Sequence, residues 1–264
     1  MAKSPITWVG GKYRLADKIT AMFPEHTLYA EVFGGAGHIL FRKQPSKCEV
    51  YNDIDRNLVC FFSVVKDKSL CGRLYERLEA TLYSRDVFDK CLLNLSLEVI
   101  SDFERAYSFI VVNRQCFGGL METWGVSLQD SKTAAGFHNR KELLAAACER
   151  LRNVQLERKD FRYVLERYDR ADTLFYLDPP YAPDTRSSRK VYSNEMTESD
   201  HEELVDMLLR IRGKGILSGY DTPLYDRLVS AGWEKVSLGD MAISLNKRVG
   251  EGRITKREWL WCKM

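Results

Sequence analysis

Three short apolar runs punctuate the chain, and each stops where glycine or polar residues begin. Leu28 to Phe33 precedes Gly34-Gly35-Ala36-Gly37, Cys48 to Tyr51 precedes Asn52-Asp53, and Thr173 to Leu177 precedes Asp178-Pro179-Pro180-Tyr181. Runs of this length, bounded by Gly, Asp or Pro and separated by helical patterns, predict buried strands of a parallel sheet with crossovers, an α/β fold of Rossmann-like type. Ligands of such sheets bind outside the carboxyl ends of the strands, so all three motifs are expected along one edge. Leu204, Met207, Leu208 and Ile211 recur at helical spacing and predict a helix over 199–212, with Ser199 or Asp200 as its cap. A strand over 215–218, a helix over 223–231 and a last strand over 258–262 continue the alternation.

Residues 67 to about 150 break this rhythm, because the stretch between the second and third strands is far longer than the usual connection. It reads as helical over 70–95, 103–112 and 140–151, with a Gly-rich polar stretch over 113–139 that suggests hairpins or loops. The chain is therefore expected to divide into a discontinuous core, 1–66 plus 150–264, and an inserted, mostly helical domain, 67–149.

The 264 residues, 45% hydrophobic and 29% charged, suit that division and exclude disorder, collagen-like repetition and a disulfide-held mini-protein. Forty basic against 37 acidic side chains give a net charge of +3, which excludes a histone-like polycation but not a local basic groove. The cysteines Cys48, Cys60, Cys71, Cys91, Cys116, Cys148 and Cys262 are odd in number and widely spaced, mostly among apolar neighbours; they read as reduced core thiols of a cytosolic protein. None pairs at zinc-knuckle spacing, and His26, His38, His138 and His201 do not cluster with them, so no metal is expected. No apolar leader follows the first residues, and no run approaches the ~20 residues of a membrane span, so the chain is expected to be cytoplasmic and to stay off membranes.

The loop Phe33-Gly34-Gly35-Ala36-Gly37-His38 lies between a strand and a helix pattern, where glycine lets a ligand approach the backbone and a helix N-terminus favours negative charge. It lacks the third glycine of the dinucleotide fingerprint, and alone it suits a tight turn equally well. Asp53, about 20 residues on, strengthens it, since an acid there can bind two ribose hydroxyls. Asp53 could instead cap the following helix, a role open to Asp55 as well. Asp178-Pro179-Pro180-Tyr181 is the most specific pattern. Its prolines fix φ and remove two amide donors, so a carbonyl and a carboxylate can both accept from an amine. Held so, the nitrogen aims its lone pair at an electrophile while Tyr181 stacks on a flat ring. The Trp8-Val9-Gly10-Gly11-Lys12-Tyr13 cluster reads as a turn before an amphipathic helix with Leu15 and Ile19 inward; Lys12 is also a ready partner for a carboxylate ligand.

In this order the motifs resemble the Dam-like DNA adenine-N6 methyltransferases. The likeness covers nearly the whole chain: Trp8 to Tyr13, Glu31 to Gly37, Asn52-Asp53-Ile54-Asp55, Lys159-Asp160-Phe161, Asp178 to Tyr181, and Lys256-Arg257-Glu258-Trp259-Leu260. The resemblance implies direct in-line transfer of a methyl group from S-adenosylmethionine to the exocyclic amine of a flipped adenine in double-stranded DNA, by a monomer of bacterial or phage origin. It implies that Trp8 and Lys12 contact the methionine part of the cofactor, with Phe33, Gly34, Gly35 and Gly37 bordering it. Asp53 would bind the ribose, and Asp160 with Phe161 the adenine of the cofactor. Asp178, Pro179, Pro180 and Tyr181 would hold the target base.

The family carries its target-recognition domain where the insertion lies, and 113–120 looks like the start of its recognition hairpin, with Asn113 and Arg114 as DNA contacts. Members reading GATC have an arginine where Met121-Glu122 stands here; glutamate would prefer a cytosine amine or contact nothing, which puts a GATC target in doubt. Arg114 is equally open to a structural ion pair. Arg186, Arg189 and Lys190 after the Asp-Pro-Pro motif, and Lys247 and Arg248 before the last strand, are candidate phosphate contacts beside a site that extrudes a base. Asp200 and His201 read as first-turn helix residues, and Tyr220 as a residue shaping the adenine pocket. The alternatives are a silent DNA-binding or decoy protein of the same fold, and methylation of a cytosine amine, RNA or a protein glutamine. An acid at position 178 favours adenine among these, since the resemblance places serine or asparagine there in the others.

Overall fold

The computed structural model describes residues 2–117, 121–126, 132–139, 142–180, 195–242 and 255–264. In chain order the first elements are α1 (Ala16–Thr20), β1 (Leu28–Glu31), α2 (His38–Arg42), β2 (Cys48–Asn52), α3 (Arg56–Lys66), α4 (Lys68–Glu79), α5 (Arg85–Ser96) and α6 (Asp102–Gln115). There follow α7 (Lys132–Asn139), α8 (Leu143–Leu151), β3 (Val154–Glu157), α9 (Phe161–Tyr168), β4 (Thr173–Leu177), α10 (Glu198–Leu208), β5 (Lys214–Tyr220), α11 (Asp226–Ser230), β6 (Glu234–Ala242) and β7 (Thr255–Lys263). The fold is mixed α/β and Rossmann-like, and the chain groups into two compact units, residues 1–20 with 34–159 and residues 21–33 with 160–264.

In the first unit β2 and β3 pair in parallel, Glu49 opposite Val154 and Asn52 opposite Glu157. Asn52 locks their carboxyl ends together: its Nδ2 donates to the Lys159 carbonyl at 3.0 Å, and its Oδ1 accepts the Lys159 amide at 2.9 Å. Helix α3 starts where the Asp55 carboxylate accepts the amides of Asn57 and Leu58, and it buries Leu58, Phe61, Phe62 and Val65 at i, i+3, i+4, i+7 spacing. Phe61 and Phe62 are fully buried, each contributing about 1.5–3 kcal/mol by leaving water. Helix α6 packs against α3 and α5, and α8 against α3 and α4, so the helices between β2 and β3 build on the one that follows β2. At the start of β2, buried Glu49 accepts from Lys43 Nζ at 2.5 Å and from both terminal nitrogens of Arg150 on α8, at 2.5 and 2.8 Å.

In the second unit β1, β4 and β5 run parallel, and β7 joins β5 antiparallel with β6 outside it. The carboxyl ends of β1, β4 and β5 therefore bring Phe33, Asp178 and Tyr220 out at one edge. The β6–β7 pairing slips register between Ser237 and Gly239, a bulge served by the positive φ of Gly239, 96°.

The pattern-based elements need four corrections. The helix expected over 70–95 is two, α4 and α5, because Leu82, Tyr83 and Ser84 leave the helix between them. The loop expected over 113–139 contains α7. Helix α10 is capped by Thr197 rather than Ser199 or Asp200: its hydroxyl accepts the Asp200 amide, and the Asp200 carboxylate returns to the Thr197 amide at 2.8 Å. Strands β3 and β6 went unforeseen; β3 has four residues of which Val154 alone is buried, and the bulge at Gly239 interrupts the alternation of β6. All seven cysteines are free thiols.

Candidate active site

In the first unit the glycine loop is fixed by close approach from below. A Cβ on Gly34 would come 2.2 Å from the Tyr51 ring, and the Tyr51 hydroxyl donates to the Gly35 carbonyl at 2.6 Å. Gly35, at φ +49°, leaves a Cβ position 3.0 Å from Trp8 Cδ1, and Gly37 takes φ +66° at the start of α2. Asp53 closes the loop from the other side: its Oδ2 accepts the Gly35 amide and its Oδ1 the Asp55 amide, both at 2.8 Å. Asp55 does take the capping role, but Asp53 is not left free by it. Burial pushes the Asp53 carboxyl up to about 6; the amides of Asp55, Gly35 and Ile54 oppose the shift, and the Asp55 charge adds to it.

Trp8 to Lys12 forms the expected turn, with the Gly11 amide donating to the Trp8 carbonyl at 3.1 Å, and Leu15 and Ile19 are buried beyond it. Lys12 is itself buried, and its ammonium donates to the Gly10 carbonyl at 3.3 Å. His38 lies over this turn, 2.7 Å from where a Gly11 Cβ would stand. Burial, assisted by the Lys12 charge, pushes the His38 imidazole down to about 4, so it is neutral at pH 7. Its Nδ1 is buried without a hydrogen-bond partner among the described residues. In the sequence His38 reads only as the end of the glycine loop.

Asn113 and Arg114 hold the same turn in place. Asn113 is buried, accepts the Thr7 amide at 3.1 Å and returns its Nδ2 to the Thr7 carbonyl at 2.7 Å, while Arg114 donates to the carbonyls of Pro5 and Phe137 at 3.3 and 3.5 Å. The Trp8 ring meets Phe109 one turn earlier on α6 at 6.3 Å. Beyond α6, Cys116 bridges Trp124 antiparallel, the Gly125 amide donates to the Gln115 carbonyl at 2.7 Å, and Glu122 is exposed.

In the second unit Asp160 caps α9 by accepting the Arg162 amide at 2.9 Å, and the Arg162 guanidinium reaches both its oxygens at 3.1 Å. Arg162 also pairs with Asp200 and Glu203 on α10, each at 2.6 Å, and lies 4.4 Å over the Phe161 ring. The bonds from Arg162 and Thr197 hold the Asp200 carboxyl down at about 2. Phe33 and Phe161 stand 5.8 Å apart, ring to ring. Arg162 was missed because nothing in a charged run singles out one arginine.

Asp178 follows β4 directly, with Pro179 buried and Pro180 part-exposed. Its Oδ1 accepts the Ser218 hydroxyl of β5 at 2.9 Å, and the Tyr176 hydroxyl lies 3.3 Å from that same Ser218 Oγ. Tyr225 approaches from behind, its hydroxyl 3.2 Å from His201 Nδ1; burial, with the charge of Asp178, pushes its phenol up. His201 is buried in the first turn of α10, as its helical reading expects. Tyr181, Arg186, Arg189, Lys190, Lys247 and Arg248 lie outside the described residues.

A glycine loop clasped by a half-buried acid after one parallel strand, and an Asp-Pro-Pro turn after another, are features of a Rossmann-like methyltransferase. The sequence model of the D12 class N6 adenine-specific DNA methyltransferases matches residues 8–238, and the chain belongs to that family. The DNA adenine methylase of Serratia marcescens is 25% identical over 232 residues, covering 83% of this chain and 84% of that protein. A type II methyltransferase of Lactococcus lactis subsp. cremoris is 28% identical over 240 residues, covering 84% and 82%. The DNA N-6-adenine-methyltransferase of Escherichia phage P1 is 24% identical over 238 residues; the match takes 81% of this chain but 29% of that protein, so the chain spans under a third of that relative's length. The family favours an enzyme acting on DNA adenine over the silent-binder reading. No helix among the described residues is long and apolar enough to cross a membrane.

Proposed function

We propose that the chain methylates the exocyclic amine of an adenine extruded from double-stranded DNA, with S-adenosylmethionine as donor. The observation that carries this reading is Asp178, held by Ser218 at the end of a parallel strand and followed by two prolines, in a chain of this family. The residues fit the donor. The glycine loop tolerates no Cβ at Gly34, the Asp53 carboxylate suits a pair of ribose hydroxyls, and His38 Nδ1 is a buried polar atom without a partner among the described residues. In this reading Trp8 and Lys12 hold the amino-acid end, Lys12 pairing with its carboxylate; Phe33, Gly34, Gly35 and Gly37 border it; Asp53 accepts from the ribose; Asp160 and Phe161 meet the adenine ring. When bound, S-adenosylmethionine supplies a methyl group already activated by a sulfonium.

The protein's task is then orientation and exclusion of water. The Asp178 carboxylate and the Pro179 carbonyl accept the two N–H groups of the target amine, which turns the nitrogen lone pair out of the ring plane. Pro180 keeps the turn rigid, and Tyr181 stacks on the base. Residues 67–149 serve as target-recognition domain. Glu122, exposed where GATC-reading members carry an arginine, cannot donate to a guanine edge, which counts against a GATC target. Arg186, Arg189, Lys190, Lys247 and Arg248 contact phosphates, and the protein works as a monomer.

The test is incubation with labelled S-adenosylmethionine and mixed DNA, RNA and protein. Label is expected in DNA alone, as N6-methyladenine, and Asp178→Ala should abolish it while keeping cofactor affinity. Label in protein or RNA, in cytosine, or in nothing would defeat the reading.

A further inference from the structure

The strand register puts three polar side chains on one face at the carboxyl ends of β4 and β5. Leu177 stands opposite Leu217 in the parallel β4–β5 pair, so Asp178 continues opposite Ser218, and Tyr176 lies two residues before Asp178 on the same face. Ser218 is fully buried and Tyr176 nearly so. A buried hydroxyl on a central strand has a cost unless it finds a partner, and this one touches Asp178 at 2.9 Å and Tyr176 at 3.3 Å.

Chemistry fixes the direction of both bonds. A carboxylate has no hydrogen to give, so the single hydrogen of Ser218 is committed to Asp178 Oδ1. The Tyr176 phenol must then be the donor to Ser218 Oγ. Each donation polarises the next, strengthening the bond that reaches the carboxylate.

We propose that Tyr176 and Ser218 act as positioning residues: a hydroxyl relay that fixes the rotation of the Asp178 carboxylate, so that it and the Pro179 carbonyl accept the target amine together. This deepens the proposed methyl transfer and rests on it. An aspartate turns about χ2 over a broad well. The Pro179 carbonyl is held by the rigid Pro-Pro backbone, so the carboxylate is the acceptor whose angle needs a separate restraint. A misplacement of about 1 Å at such a centre costs on the order of 100-fold in rate. Neither residue touches the amine; both act through Asp178.

The experiment is a double-mutant cycle of Ser218→Ala and Tyr176→Phe. Single-turnover methylation of genomic DNA, cofactor affinity by calorimetry and the urea unfolding midpoint are measured on each full-length protein. Ser218→Ala is expected to slow transfer about 10- to 100-fold with cofactor affinity held within about twofold. Tyr176→Phe should slow it about 3- to 10-fold, and the double variant should be no slower than Ser218→Ala alone, because the phenol acts only through the serine. Additive losses, unchanged transfer by Ser218→Ala, or losses that follow cofactor affinity or unfolding would overturn the relay while leaving the methyltransferase intact. Should Ser218→Ala not fold, the near-isosteric Tyr176→Phe carries the test by the same split of rate from affinity. A wild-type protein that labels no DNA defeats the methyltransferase reading and the relay with it.

Discussion

The Gly35 amide donates to Asp53 Oδ2 at 2.8 Å, so the acid after β2 is also the clasp of the glycine loop. If Asp53 also binds the ribose, as proposed, cofactor binding should depend on pH. With its folded value at about 6 against an ordinary 3.8, Asp53 binds its proton more tightly in the fold than in the unfolded chain. The cofactor-free protein should therefore lose stability as pH rises from 3.8 through about 6. Cofactor affinity should run the other way. Only the ionised carboxylate accepts from both ribose hydroxyls, so binding should weaken as pH falls below about 6. Calorimetric titration on either side of that value checks this, and Asp53→Asn should bind weakly at every pH; a wild-type affinity flat across the window removes Asp53 from the ribose site.

Asn113 on α6 braces the turn that carries Trp8 and Lys12, through its two bonds to Thr7. Asn113→Ala leaves a backbone amide and a carbonyl without their partner, at about 1–3 kcal/mol. Cofactor affinity is expected to fall with stability, while DNA affinity measured without cofactor stays near wild type. A loss of DNA affinity with cofactor binding intact would instead make Asn113 a direct DNA contact.

Glu49 joins Lys43 to Arg150 in a buried ion triad. Burial opposes its ionisation, but the bonds from Arg150 and Lys43 outweigh it and hold the carboxyl below its ordinary 4.5. Its contribution is thus complete above that value and is lost as pH falls through the lowered one. Glu49→Gln strands two buried cations and should cost about 3–5 kcal/mol at neutral pH. Urea unfolding at neutral and acid pH measures both effects. A midpoint unchanged at neutral pH would show the triad to be energetically neutral.

The motifs at strand ends were legible because each is local. Leu28 to Phe33, Cys48 to Tyr51 and Thr173 to Leu177 announce buried strands by their own apolar runs, and glycine, acid or proline marks the exit. The burial of Leu15 and Ile19 behind the Trp8 turn likewise follows from helical spacing. The capping of α10 was misread by a few residues, because Thr197, Ser199 and Asp200 are all competent caps and only backbone geometry chooses among them. β6 was hidden by the break in its alternation at Gly239.

By itself the sequence determined the strand-and-helix rhythm, the motifs at the strand ends and the family they belong to, all of which depend on neighbours a few positions apart. Only the tertiary structure decided which distant side chains hold those residues. Ser218 reaches Asp178 across 40 positions of chain, Asn113 reaches Thr7 across 106, and Arg150 reaches Glu49 across 101. The physical reason is that a buried donor must find an acceptor wherever the fold brings one, and sheet register and helix packing, rather than local pattern, choose which one it is.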